Sequence, residues 1–121
     1  MNWTSTAAVL LALAVILGAF GAHGLRGRLD AESMRIYETA VMYHFLHALG
    51  ILILSVLPRA GTASSSGMSP VCAMLFAGIV LFSGSLYLLA ATGIRMLGAI
   101  TPLGGVLFIA GWLVAAWRLR G

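Results

Sequence analysis

Lysine is absent from this 121-residue sequence, and the formal charge rests on seven arginines against Asp30, Glu32 and Glu38. Charged residues make up 8% of the chain, too few to solvate the surface of a soluble domain. The charges are also segregated. Trp3 to Ala22, Thr39 to Leu57, Pro70 to Ile94 and Met96 to Trp117 contain no Asp, Glu, Lys or Arg. Each tract is close to the roughly 20 residues a helix needs to cross a hydrocarbon core of about 30 Å.

Other absences narrow the chemistry. Cys72 is the one cysteine, which excludes an intrachain disulfide and a CxxC metal or redox pair. Asp30 is the one aspartate, and no GxSxG elbow accompanies it, so Ser/His/Asp catalysis has no inventory to work with. Phosphate loops, dinucleotide fingerprints and EF-hand loops are missing too. The expectation is a non-enzyme with no cofactor and no metal. No internal repeat is visible, and four spans are too few for the inverted-repeat plan of secondary transporters.

What is present is apolar. Hydrophobic residues make up 61% of the chain and mean hydropathy is +1.05, against about 45–50% apolar in soluble domains. The tracts lack the period-2 alternation of a membrane barrel, so backbone polar groups in lipid must be satisfied within helices. The fold class is therefore all-α: an integral membrane four-helix bundle, one transmembrane domain over residues 1–121. Its spans fall at about 3–22, 39–57, 70–91 and 96–117, joined by short loops. The net charge of +4 comes from arginines at tract ends, where they anchor helices at headgroups. The bilayer is the expected partner, and nucleic acid is not. A bacterial inner (plasma) membrane is the expected location.

Local signals refine the plan. The first tract is longer than a signal-peptide core and lacks a basic residue before it, so it reads as a retained span. Asp30 is placed to cap a helix starting at Ala31, with Glu32 in its first turn, giving an interfacial helical lead-in to span two. Ser69-Pro70 reads as N-cap and first helical residue of span three. The stretch from Arg59 to Ser69 is Gly/Ser-rich and reads as a flexible linker. For span four, a start near Met96 with Pro102 as an internal kink is preferred over a start at Thr101. Four arginines (Arg26, Arg28, Arg35, Arg95) in loops one and three face three (Arg59, Arg118, Arg120) plus the amino terminus. That balance is nearly even, with loops one and three inside as the favoured side.

Four stretches carry a family pattern: Gly18-Ala-Phe-Gly-Ala-His-Gly-Leu25, Tyr43-x-x-x-His47-Ala-Leu, Leu81-Phe-Ser-Gly-Ser-Leu-Tyr87, and Thr101-Pro-x-Gly-Gly105 followed by Gly111-Trp112. In this order and spacing, over nearly the whole chain, the sequence resembles the DUF423 family of small membrane proteins. The resemblance implies a multi-span membrane protein and implies no biochemical activity.

Polar groups inside a membrane are costly and are functional candidates by default. Tyr43, His47, Ser83, Ser85 and Tyr87 form the candidate buried polar cluster, with His47 expected to face inward and bond a serine or carbonyl of a neighbouring span. His44, at i and i+3 from His47, is expected to matter less. His23 and His47 are the only pair on facing helices suited to a bis-His haem, while cofactor binding stays unassigned. Close helix packing is expected at Ala14, Gly18, Ala22, Gly84, Gly104, Gly105 and Gly111, because small residues let backbones approach in lipid. Two functions are open: a structural, accessory or interaction protein, alone as a homo-oligomer or within a larger membrane complex; or a small-molecule binder or transporter with a pocket at Tyr43, His47, Ser83 and Ser85.

Overall fold

The computed structural model describes residues 2–58 and 67–120. Most of the linker predicted after Arg59 lies outside the described residues. Helix α1 (Trp3–Phe20) continues through a π-helical turn, Gly21–Leu25, and α2 runs unbroken over Ala31–Val56. The third span is α3 (Ser69–Gly78), a π-helical turn (Ile79–Ser83) and α4 (Gly84–Thr92). A 3₁₀ turn, Arg95–Ala99, leads into α5 (Thr101–Leu119). The four continuous helical stretches, Trp3–Leu25, Ala31–Val56, Ser69–Thr92 and Arg95–Leu119, are each long and apolar enough to cross a membrane.

Chain order sets the packing: α1 lies along α2, α2 along the third span, and α5 along α3 and the second π turn. The core between them holds Ala7, Leu10, Ile51, Leu54, Val71, Cys72, Leu75, Ile79, Phe108 and Ala115. The outward faces are as apolar as the core. Val9, Leu13, Ile16 and Phe20 on α1, Met42, Leu46, Leu49 and Ile53 on α2, and Val106, Ile109 and Leu113 on α5 are all exposed. Apolar surface on that scale, spread around every helix, is what lipid covers.

Helix ends follow local chemistry. The Asp30 carboxylate accepts the Ser33 amide at 2.7 Å, as the cap pattern predicts. That hydrogen bond and the Ser33 side chain hold the Asp30 carboxyl below its ordinary range. Gly27 and Gly93 are the positive-φ residues among those described, at +89° and +71°. The first lets the chain reverse within Arg26–Asp30; the second ends α4 in a left-handed cap.

The helical lead-in to span two forms as the first two turns of α2, capped by Asp30 and continuous with the span. Three expectations change. Met68, not Ser69, precedes the first residue of α3, and the Ser69 hydroxyl instead accepts the Trp3 indole N–H at 3.0 Å. Pro102 stands in the first turn of α5 and does not kink a longer helix. The short version is long enough because α5 runs on past Arg118; its 19 residues span about 28 Å at 1.5 Å each. Lastly, Ala22 is exposed, and Gly21 takes its place on the buried face of span one. Seven residues return a helix to within about 20° of its starting face, whereas eight overshoot by about 80°. Ala7, Ala14 and Gly21 therefore align, and the series Ala14, Gly18, Ala22 drifts off the contact.

Candidate functional site

Tyr43, His44 and His47 lie on the face of α2 that turns toward the third span and α5, and the structure divides the predicted polar cluster between two places. In the first, His47 stacks on Phe108 of α5, ring centroids 3.6 Å apart and planes 13° from parallel. Trp112 stands 5.9 Å away, and Tyr43 lies against Phe82 at 4.5 Å. His47 Nδ1 bonds the Tyr43 carbonyl at 2.8 Å, one turn back on its own helix and not on a neighbouring span as expected. Histidine thus acts here as a flat ring closing an aromatic layer between α2 and α5.

The second place is built around the residue that sequence reasoning ranks lower. His44 is 4% exposed and His47 7%, so both face inward; i and i+3 share a helix face. His44 Nδ1 meets the Tyr87 hydroxyl at 2.8 Å, a side-chain bond from α2 to α4. Its other nitrogen, Nε2, is buried toward α1 without a hydrogen bond of normal geometry. The Tyr87 ring stands 5.4 Å from that of Tyr37, and the Tyr37 hydroxyl donates to the Leu17 carbonyl at the end of α1. A polar ladder of His44, Tyr87 and Tyr37 therefore joins three spans. Tyr37 escapes a reading of the sequence because Glu38 follows it and ends the uncharged tract; its signal is its i and i+7 relation to His44.

The serines stitch helices together. Ser83 Oγ donates to the Ala40 carbonyl of α2 at 2.8 Å and is fully buried. Ser85 Oγ lies 2.6 Å from the Thr101 hydroxyl at the start of α5. Both placements depend on the π turn. Its i to i−5 bond, Gly84 N–H to the Ile79 carbonyl, adds one residue to a helical turn and rotates the remainder of the span by about 100°. Continuing the buried pattern Val71, Leu75, Gly78, Ile79 at α-helical spacing would point Phe82 and Leu86 at α2. The inserted residue substitutes Ser83 and Tyr87.

The packing glycines differ in what they do. A Cβ on Gly104 would press into the Phe82 backbone, one on Gly111 would stand 2.9 Å from Leu75, and one on Gly18 would meet Val41 at 3.4 Å. At Gly105 the nearest atoms are 3.9 Å away, and at Gly84 there is open space. Gly84 is not a packing residue. Gly50, Gly78 and Gly21 are, under Trp112, Phe108 and Tyr37. Ala14 is fully buried, as expected.

Among the described residues, no three of His, Cys, Asp and Glu come together as a metal set. His23 is exposed on the first π turn, whereas the His47 ring is covered by Phe108. Four cavities formed by described residues lie at the surface between helices; Tyr43, His44, His47, Ser83 and Ser85 line none of the four, while Tyr87 and Tyr37 border one, a mainly apolar cleft beside Leu17, Phe20 and Leu88. His44, His47, Ser83 and Ser85 each bond another protein group, with His44 Nε2 left as the one buried side-chain nitrogen or oxygen without a hydrogen bond of normal geometry among the described residues.

These features define a small integral membrane protein: four apolar helices tied by intramembrane hydrogen bonds and small-residue contacts. The chain belongs to the DUF423 family, a protein family of unknown function, whose model matches residues 17–105. It is 53% identical over 102 residues to the UPF0382 membrane protein SH2409 of Staphylococcus haemolyticus, covering 84% of this chain and 81% of that one. It is 49% identical over 106 residues to the UPF0382 membrane protein YwdK of Bacillus subtilis, covering 84% and 82%. The UPF0382 membrane protein SAB0533 of Staphylococcus aureus is 47% identical over 112 residues, covering 90% and 89%. No solved structure matches the chain.

Proposed function

We propose that this protein is a non-catalytic accessory of the bacterial plasma membrane, acting through what its lipid-facing surface engages. One observation carries the reading: His44, Ser83 and Ser85 bond side chains or a backbone carbonyl across helix contacts, and His47 bonds its own helix under Phe108. His44 with Tyr87, Ser83 with Ala40 and Ser85 with Thr101 hold spans together; of these six only Tyr87 borders one of the four surface cavities, an apolar cleft beside Leu17 and Phe20, and its hydroxyl is engaged with His44. A transport path or solute pocket needs polar groups that face a space, and these face protein. The partner is a larger membrane complex or further copies of the chain.

Purification in native lipid nanodiscs, followed by mass determination of the intact particle, tests this. The expected result is a defined assembly larger than one 12.6 kDa chain. In proteoliposomes the protein is expected to pass no small solute. A monomer carrying a stoichiometric bound metabolite, or measurable solute flux lost on His47→Leu, would instead establish the binder or transporter.

A further inference from the structure

A groove of about 250 Å³ runs between the end of span one and the start of α2. Its floor is made by what span one lacks: Gly18, Gly21 and Ala22 leave room beside α2, and Met42 forms the far wall. The groove is smaller than a pocket for a drug-sized soluble ligand, which takes about 300–1,000 Å³. It is open along its side and lined mostly by apolar atoms, so in a bilayer it is suited to hydrocarbon. At its charged end stand Arg26, just beyond span one, and Glu38, one turn before Met42. Both side chains are exposed, and among the described residues neither is engaged in a hydrogen bond or ion pair. A guanidinium and a carboxylate thus line one mostly apolar groove without an ion pair between them.

We propose that this groove seats one phospholipid whose headgroup carries both a phosphate and a primary ammonium, of which phosphatidylethanolamine is the simplest. Arg26 matches phosphate through its planar fork of donors. Glu38 accepts from the ammonium, which has three N–H donors. A purely anionic headgroup places its phosphate beside Arg26 but leaves Glu38 facing negative charge, and a choline headgroup has no N–H to give. The pair therefore selects by complementarity and not by net charge. This inference goes beyond the accessory role and stands or falls separately from it.

Native mass spectrometry of the full-length protein, with an equimolar mixture of phosphatidylethanolamine, phosphatidylcholine and phosphatidylglycerol of one acyl composition, tests the assignment. Retained ethanolamine lipid is expected to exceed each of the others by about fivefold, the ratio supplied by one exposed ion pair near the upper end of its range. Glu38→Gln is expected to abolish the preference while lipid is still retained, and Arg26→Gln to lower ethanolamine and glycerol lipids alike. Ala22→Trp, on an exposed position, fills the groove and is expected to remove bound lipid with an unchanged melting temperature. Excess inorganic phosphate is expected to displace nothing. Equal retention of the three lipids by the parent protein would overturn the proposal. So would an undiminished preference in Glu38→Gln, retained lipid in correctly folded Ala22→Trp, or displacement by free phosphate.

Discussion

At the residue scale, His44 and Tyr87 make the one direct side-chain bond between α2 and α4 among the described residues. A hydrogen bond between membrane helices contributes about 0.6 kcal/mol on average and up to about 1.7. A double-mutant cycle of His44→Phe and Tyr87→Phe, read by unfolding in mixed micelles, is expected to show positive coupling in that range. Tyr43 makes ring contacts only, so Tyr43→Phe is expected to stay within about 0.5 kcal/mol of the parent. Glycine offers a sharper contrast. Gly104→Ala drives a methyl into the Phe82 backbone and is expected to cost about 1–3 kcal/mol. Gly84→Ala meets open space and is expected to be neutral or to stabilise by up to about 1 kcal/mol. The sequence marks both glycines equally. What separates them is which side of a helix faces a neighbour, and a chain apolar on every face carries no hydrophobic periodicity to say so.

At the scale of the element, starts and stops are legible where backbone chemistry sets them. Asp30 is readable as a cap because its carboxylate three residues before an amide is a local geometry. Since Asp30 titrates lower in the folded protein than its ordinary value of 3.8, its contribution is complete above that value and is lost as pH falls through the folded one. The protection of the Ser33 amide, its exchange measured against the intrinsic rate at each pH, is therefore expected to fall below about pH 4, and in Asp30→Asn to stay constant over that range. The π turn in the third span is not legible. Ile79–Ser83 reads as ordinary helix, and the extra residue is favoured by long-range partners: Gly104 admitting the Phe82 backbone, and Ala40 and His44 receiving Ser83 and Tyr87. Because of that one inserted residue, Tyr87 is readable as polar and buried, yet its partner is not.

For the whole molecule, segregation of arginine, aspartate and glutamate to tract ends makes the four-helix plan readable, since lipid penalises charge more strongly than any packing detail rewards it. One end of the bundle is tied by the Thr4–Ser55 hydroxyl pair at 2.9 Å and by Arg118 donating to the Gly67 carbonyl at 2.8 Å; the other carries the turns at Gly27 and Gly93. The most direct measurement of this plan is labelling with a membrane-impermeant maleimide in sealed vesicles, using single-cysteine variants on a Cys72→Ala background. Arg28→Cys and Met96→Cys are expected to react from one side of the membrane, Asn2→Cys and Arg120→Cys from the other, and Leu113→Cys from neither until the bilayer is dissolved. Reaction of Arg28→Cys and Met96→Cys from opposite sides, or ready labelling of Leu113→Cys in intact vesicles, would contradict four helices threading the membrane.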